Sequence, residues 1–331
     1  MLGLTCYFLA ATLKQHWQAV LALRLRPQGW QSLGAGLGIT LVAHVWSGAV
    51  WGGLLRSCGQ TRPQRWAIAT YLRTNLAKYL PGNIWHFYSR LKASQAIAIP
   101  TDAALLSIVL EPLLMAAAAL FLACLTYRFS PWQGLLLVAI LLGVHPRFLN
   151  PILRKVAAGK LRSLGRVRSE QPAPMDIQAD SSLTDSSLTN SSLTDSSLTD
   201  SYMGDSPTAG VQAETLKLSR YPLGPLLGEL LFVALRGGGF LFAVQALAPL
   251  QNLPLLISAF SLSWMLGLVI PGAPGGIGVF ELGAIALLQG QLPPERVLGA
   301  VACYRLLSTL AEVLGAGLAP LIWPRSLAKD Q

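Results

Sequence analysis

Residues 270–281 read I-P-G-A-P-G-G-I-G-V-F-E, and apolar runs flank them at 253–269 and 282–288. Pro271, Gly272, Pro274, Gly275 and Gly276 do not suit a plain helix interior, because proline removes a backbone donor and glycine loosens the helix. In hydrocarbon, broken backbone is tolerated only where protein covers it or a wet cavity lies beside it. The carboxylate of Glu281 follows at once. A broken segment with an acid beside it, deep in apolar sequence, points to the binding site of a transporter-like fold.

Composition supports that setting. Hydrophobic residues make up 53% of the chain, charged residues only 12%, and the mean hydropathy is +0.50. These values describe a polytopic membrane protein rather than a soluble domain. The length leaves room for roughly six to eight apolar segments of about 20 residues each. The net charge of +10 does not call for a nucleic-acid partner. Its basic residues cluster between apolar segments, as the positive-inside rule requires. The four cysteines (Cys6, Cys58, Cys124, Cys303) are far apart in apolar settings and read as buried free thiols.

In chain order, residues 1–13 are short for a span, and 14–26 alternate apolar and basic residues in the manner of an interfacial helix. Residues 30–55 form the first clear span. Residues 66–92 are apolar but carry Arg73, Asn75, Lys78, Asn83 and His86, with Pro81-Gly82 in the middle. Two half-helices meeting at Pro81-Gly82 fit better than one span. Thr101 is the expected N-cap of a span at 103–127, which carries Glu111-Pro112. A shorter apolar run follows at 131–144. Residues 146–220 are basic at first and then hold four tandem copies of S-S-L-T-[DN], too polar to repay the entropy of ordering. They are expected to be a disordered cytoplasmic loop. Spans at 222–250 and 296–323 enclose the opening motif.

The expected fold is therefore an all-α polytopic membrane bundle, with a first membrane half at 1–145, the loop at 146–220 and a second half at 221–331. Each half has the same order of span, re-entrant proline/glycine-broken hairpin and span. The charge distribution gives the halves opposite orientation, an inverted repeat with a site where the hairpin tips meet.

Glu229 and Arg236 are seven residues apart, as are Arg305 and Glu312, so each pair shares a helix face with Ser308 between the latter two. One reading makes them interhelical salt bridges. The other makes them a polar chamber where Arg236 and Arg305 attract a phosphate-bearing headgroup and Glu281 or Glu312 a cationic one. The tip residues Pro81, Gly82 and Asn83, together with Pro274, Gly275, Gly276 and Gly278, would add free backbone donors. Glu111 reads as the partner of a neighbouring arginine. His16, His44, His86 and His145 lie on separate segments without metal spacing, and no catalytic motif is present. No enzyme activity, cofactor or metal is expected.

The run P-G-G-I-G-V-F-E at 274–281, followed by an alanine- and leucine-rich helix and then Arg305, resembles the transmembrane region of lysylphosphatidylglycerol synthases, the flippase-like domain family. Asn75, Leu80-Pro81-Gly82, Ile84 and Arg90 match the family's upstream pattern, and Glu111 its following glutamate. Trp85, Phe280 and Pro112 depart from it. The resemblance covers most of the chain outside 146–220. It implies translocation of a polar or anionic lipid, or lipid-linked precursor, across the inner (plasma) membrane. Family members that transfer amino acids do so with a separate soluble domain, and that activity is not carried over. The alternative is a membrane scaffold that recruits a separate glycosyl- or aminoacyltransferase through the basic residues of 147–168.

Overall fold

The structure, a computed structural model, describes residues 14, 25–80, 84–127, 130–151, 218, 220–270 and 278–324. Contacts divide the chain into two units, Met1–Asn150 with Lys217–Gln331, and Pro151–Leu216; the helices belong to the first. The fold is all-α. Among the described residues there are nine α-helices, one 3-10 helix, a further helical stretch at 146–151, and no strand.

Among the described residues, four helices are long and apolar enough to cross a membrane: α1 (Gly29–Ser57), α4 (Thr101–Thr126), α6 (Leu223–Leu247) and α9 (Pro294–Ile322). Large apolar side chains on their outer faces, such as Val109, Leu125, Leu227 and Leu321, are exposed as a lipid-facing surface requires. The protein is a membrane protein. The other five described α-helices are too short to cross, four of them belonging to the two broken segments. Those four are α2 (Gln64–Asn75), α3 (Trp85–Gln95), α7 (Leu253–Val269) and α8 (Val279–Leu288). At 1.5 Å per residue even α7 reaches only about 25 Å, against a hydrocarbon core of about 30 Å. The ninth, α5 (Pro131–Val144), starts where Ser130 donates its backbone N–H to Gln133 at 3.4 Å and Pro131 occupies the first helical position.

Both expected breaks begin the same way. The 3-10 helix Leu76–Tyr79 continues α2 and ends at Leu80, which is extended (φ −70°, ψ 143°). Helix α7 ends at Ile270, also extended (φ −79°, ψ 112°). Each residue precedes a proline, whose ring disfavours helical backbone one position earlier. The tip residues Pro81, Gly82 and Asn83, and 271–277 with Pro274, Gly275 and Gly276, lie outside the described residues.

Packing relates the two halves. Exchanging α1 with α6, α2 with α7, α3 with α8 and α4 with α9 maps the helix contacts onto one another. Helix α4 packs on α7, and α9 packs on α2, so each long helix that follows a hairpin covers the hairpin of the other half. The equivalent helices α1 and α6 pack directly and run antiparallel. Arg26 bonds the Ala246 carbonyl at 2.9 Å near one end, and the Trp46 indole donates to the Gly228 carbonyl at 2.8 Å nearer the other. Small residues allow this approach. A Cβ on Gly228 of α6 would lie 2.6 Å from Val50 of α1, and one on Gly36 of α1 3.1 Å from Phe242 of α6; where α1 meets α2, one on Gly48 would lie 2.9 Å from the Cα of Ile68.

Two expectations need correction. Thr101 is the first helical residue of α4 rather than its cap; Pro100 holds the cap position and no side chain caps the helix. The polar loop also begins later than residue 146, since 146–151 is helical. Asn150 clasps the backbone of Leu218 from both sides, donating at 3.2 Å and accepting at 3.0 Å. The repeat itself, most of the basic stretch 147–168, and most of the expected interfacial helix at 14–26 lie outside the described residues.

Gly48→Leu should lower thermal stability in detergent by about 1–3 kcal/mol or prevent folding, because its neighbour is backbone that cannot swing away. Gly38→Leu, which meets nothing within 4 Å, should melt like the wild type. Size-exclusion profiles after heating measure both.

Candidate functional site

A cavity of about 350 Å³ lies between the two halves. That is within the roughly 300–1,000 Å³ usual for small-ligand sites. Its wall includes His44 of α1, Lys78 of the 3-10 helix, Arg90 of α3, Glu111 of α4, Arg236 of α6 and Arg305 of α9. Each sits on a helix whose other faces are apolar, so packing of those faces turns the charges inward.

Three of the four cations have a carboxylate. Arg90 pairs with Glu111, and both are almost fully buried. The guanidinium of Arg90 also lies over the Tyr71 ring at 4.1 Å and the Trp51 ring at 5.4 Å. Lys78 pairs with Glu312, which joins the first hairpin to α9. Arg305 grips Glu281 with two contacts, Nε to Oε1 at 2.6 Å and Nη2 to Oε2 at 3.2 Å. Glu281 has a second task. Its Oε2 accepts the backbone N–H of Gly278 at 2.6 Å, closing the first turn of α8. Gly278 has φ +89°, a backbone that side chains resist, so glycine is required where the helix opens.

The pairs Arg90–Glu111 and Glu281–Arg305 occupy corresponding places. Each joins the second helix of a hairpin to the long helix after it, with the signs exchanged. They differ in exposure. The side chains of Arg90 and Glu111 are 1% and 3% exposed, whereas those of Arg305 and Glu281 are 14% and 21% exposed.

Arg236 has no carboxylate within salt-bridge reach among the described residues. Its Nη1 donates to Ser308 Oγ at 2.8 Å and approaches His44 Nε2 at 3.0 Å. Arginine can only donate, so His44 presents a lone pair there. With Nε2 so used, His44 has no hydrogen to give Glu312 Oε1, which lies 3.3 Å away. Beneath Arg236 the Tyr304 ring centres 5.1 Å away and belongs to an aromatic cluster with Phe240, Phe260 and Phe280.

The residues that share a helix face reach other elements: Arg305 bridges to Glu281, Glu312 to Lys78, and Arg236 meets His44 and Ser308. Glu229 does not pair with Arg236, nor Arg305 with Glu312. Glu281 and Glu312 stand behind the cations they hold rather than on the cavity wall. Glu229 is fully buried, off the wall, and neither carboxylate oxygen has a hydrogen-bond partner among the described residues. Glu111 meets an arginine, Arg90, at contact distance. His86 is buried against Phe87, with ring centroids 3.8 Å apart. His44 and Tyr71 had no place in the spacing argument. The signal for His44 was present: an imidazole in the middle of an apolar span is a site candidate by cost alone. Among the described residues, no group of three or more His, Cys, Asp or Glu could hold a metal ion.

Fold and site together define an α-helical membrane protein with a charged cavity between two corresponding halves. No protein-family model matches the chain, and no curated protein matches it.

Glu312→Gln strands Lys78 and should cost about 3–5 kcal/mol, the usual effect of removing one partner of a buried ion pair. Adding Lys78→Met should recover much of the loss. Thermal unfolding of the two single variants and the double variant gives the coupling.

Proposed function

We propose that the protein is a multi-pass inner-membrane translocase that moves a lipid with a polar, anionic headgroup, or a lipid-linked precursor, between leaflets. Arg236 carries this reading. It is 6% exposed, lies on the cavity wall over the Tyr304 ring, and among the described residues its hydrogen-bond partners are a ring nitrogen and a hydroxyl, neither of them charged. Its Nε also lacks a partner among the described residues. Keeping a guanidinium in apolar surroundings without a counter-charge costs several kcal/mol. A ligand anion removes that cost, and the planar fork of donors suits phosphate oxygens.

The packing symmetry supports the transport step. A two-fold that exchanges antiparallel helices lies perpendicular to them, and so in the membrane plane when the long helices cross. Inverted repeats of this kind place a site near the midplane and expose it to each side in turn. The headgroup enters between the hairpins while the acyl chains stay in the bilayer. The pairs Arg90–Glu111 and Arg305–Glu281 tie the inner helix of each hairpin to its neighbour. Opening one while the other holds admits the headgroup from one side only.

The test is leaflet exchange of acyl-labelled phosphatidylglycerol in proteoliposomes. Arg236→Gln and Arg305→Gln should each reduce exchange to the protein-free rate, with helix content unchanged by circular dichroism. Exchange at the wild-type rate with both charges removed would overturn the proposal.

A further inference from the structure

Among the described residues, Glu229 is the one buried acid with neither an ion pair nor a hydrogen bond. It is fully buried in the second turn of the long apolar helix α6, and both of its oxygens lack hydrogen bonds among the described residues. The charges that act on it are Glu111 and Arg90, which already form a pair. Three ionised groups would leave one negative charge uncompensated within the protein interior. The other elements packed on α6 do not relieve this. Tyr71 of α2 is neutral, its ring lies against Arg90 and its hydroxyl accepts from Ser47 at 2.7 Å. His44 of α1 and Glu312 of α9 meet at Arg236, about two turns further along α6. Helix α7 contains no titratable residue. A bare carboxylate so placed costs several kcal/mol, and that cost is removed by binding one monovalent cation.

We propose that Glu229, beside the Arg90–Glu111 pair, is a proton-binding site whose occupancy sets the net charge of the central cavity. A proton taken from water forms one O–H bond on the carboxylate and neutralises it. A proton suits the site better than a metal ion, because no third acid, histidine or cysteine joins Glu111 and Glu229 to complete a coordination set among the described residues.

The consequence follows from charge balance. Lys78, Arg90, Arg236 and Arg305 face Glu111, Glu281, Glu312 and Glu229, so with Glu229 ionised the interior is neutral. With Glu229 protonated it carries one positive charge, matched to a monoanionic phosphodiester. Ionised Glu229 also competes with Glu111 for Arg90, a residue of the cavity wall. Proton and anion therefore favour each other's binding, and by linkage the effect is reciprocal. This coupling rests on the translocase reading; the proton site does not.

Infrared difference spectra of the full chain in nanodiscs, taken between neutral and alkaline pH, test the site directly. The wild type should show the carbonyl band of a carboxylic acid free of hydrogen bonds. Glu229→Gln should lose it, Glu111→Gln, which frees Arg90 as a counter-charge, should make it disappear at lower pH than in the wild type, and exchanging Na⁺ for K⁺ should not move it. Glutamine copies the protonated acid in size and charge, so Glu229→Gln should melt at or above the wild-type temperature at neutral pH. Absence of a Glu229-dependent band overturns the proposal, as does a band that responds to Na⁺ rather than pH. Exchange of phosphatidylglycerol in proteoliposomes then tests the coupling. An imposed pH gradient should change the wild-type rate and leave Glu229→Gln unaffected. Wild-type exchange that ignores the gradient overturns the coupling and leaves translocation standing. Absence of exchange under every condition overturns translocation, and the infrared band still decides the proton site.

Discussion

Lys78 meeting Glu312 is the contact on which the arrangement of the halves most depends. A cation on the short 3-10 helix before the first break finds its counter-charge on the last long helix of the chain. In apolar surroundings neither group is stable alone, so the pair links the two halves more specifically than apolar contact can. Around it, Tyr79 donates to Thr309 at 2.9 Å, and Arg73 donates to the Trp323 carbonyl at 2.7 Å at the end of α9. The first hairpin is thus held against α9 by polar bonds along its length. The hydrophobic surface of the bundle supplies fit, while these bonds supply register.

The helices were largely legible in the sequence because the bilayer dictates their lengths. Apolar runs of span length at 30–55, 103–127 and 296–323 became α1, α4 and α9 within a few residues. The prolines at 81 and 271 were legible as breaks, since a ring before or after a helix has a fixed steric effect on its neighbour. The 3-10 helix was not legible. Leu76–Tyr79 has no signal that separates it from a further α-helical turn, and tertiary contacts of Lys78 and Tyr79 go with its different geometry.

The charged residues show where spacing stops being informative. Seven-residue separation places Glu229 and Arg236 on one face, but it does not say which neighbouring helix that face meets. Arg236 meets α1 and α9, where a histidine and a serine wait, whereas Glu229 lies near the Arg90–Glu111 pair from α3 and α4. Glu281 illustrates the same limit. The sequence singled it out only as a contact for a cationic headgroup, and the structure gives it two partners that spacing did not indicate, the backbone N–H of Gly278 and the guanidinium of Arg305.

The interlocked packing has a consequence for how the chain is made. The first hairpin is covered by α9, and the second by α4. While the ribosome is still producing the middle of the chain, Lys78 has no counter-ion and the face of α2 that α9 will cover is bare. The early half therefore waits in the bilayer incomplete, and a chain that stops before α9 exposes a charge that membrane quality control can detect.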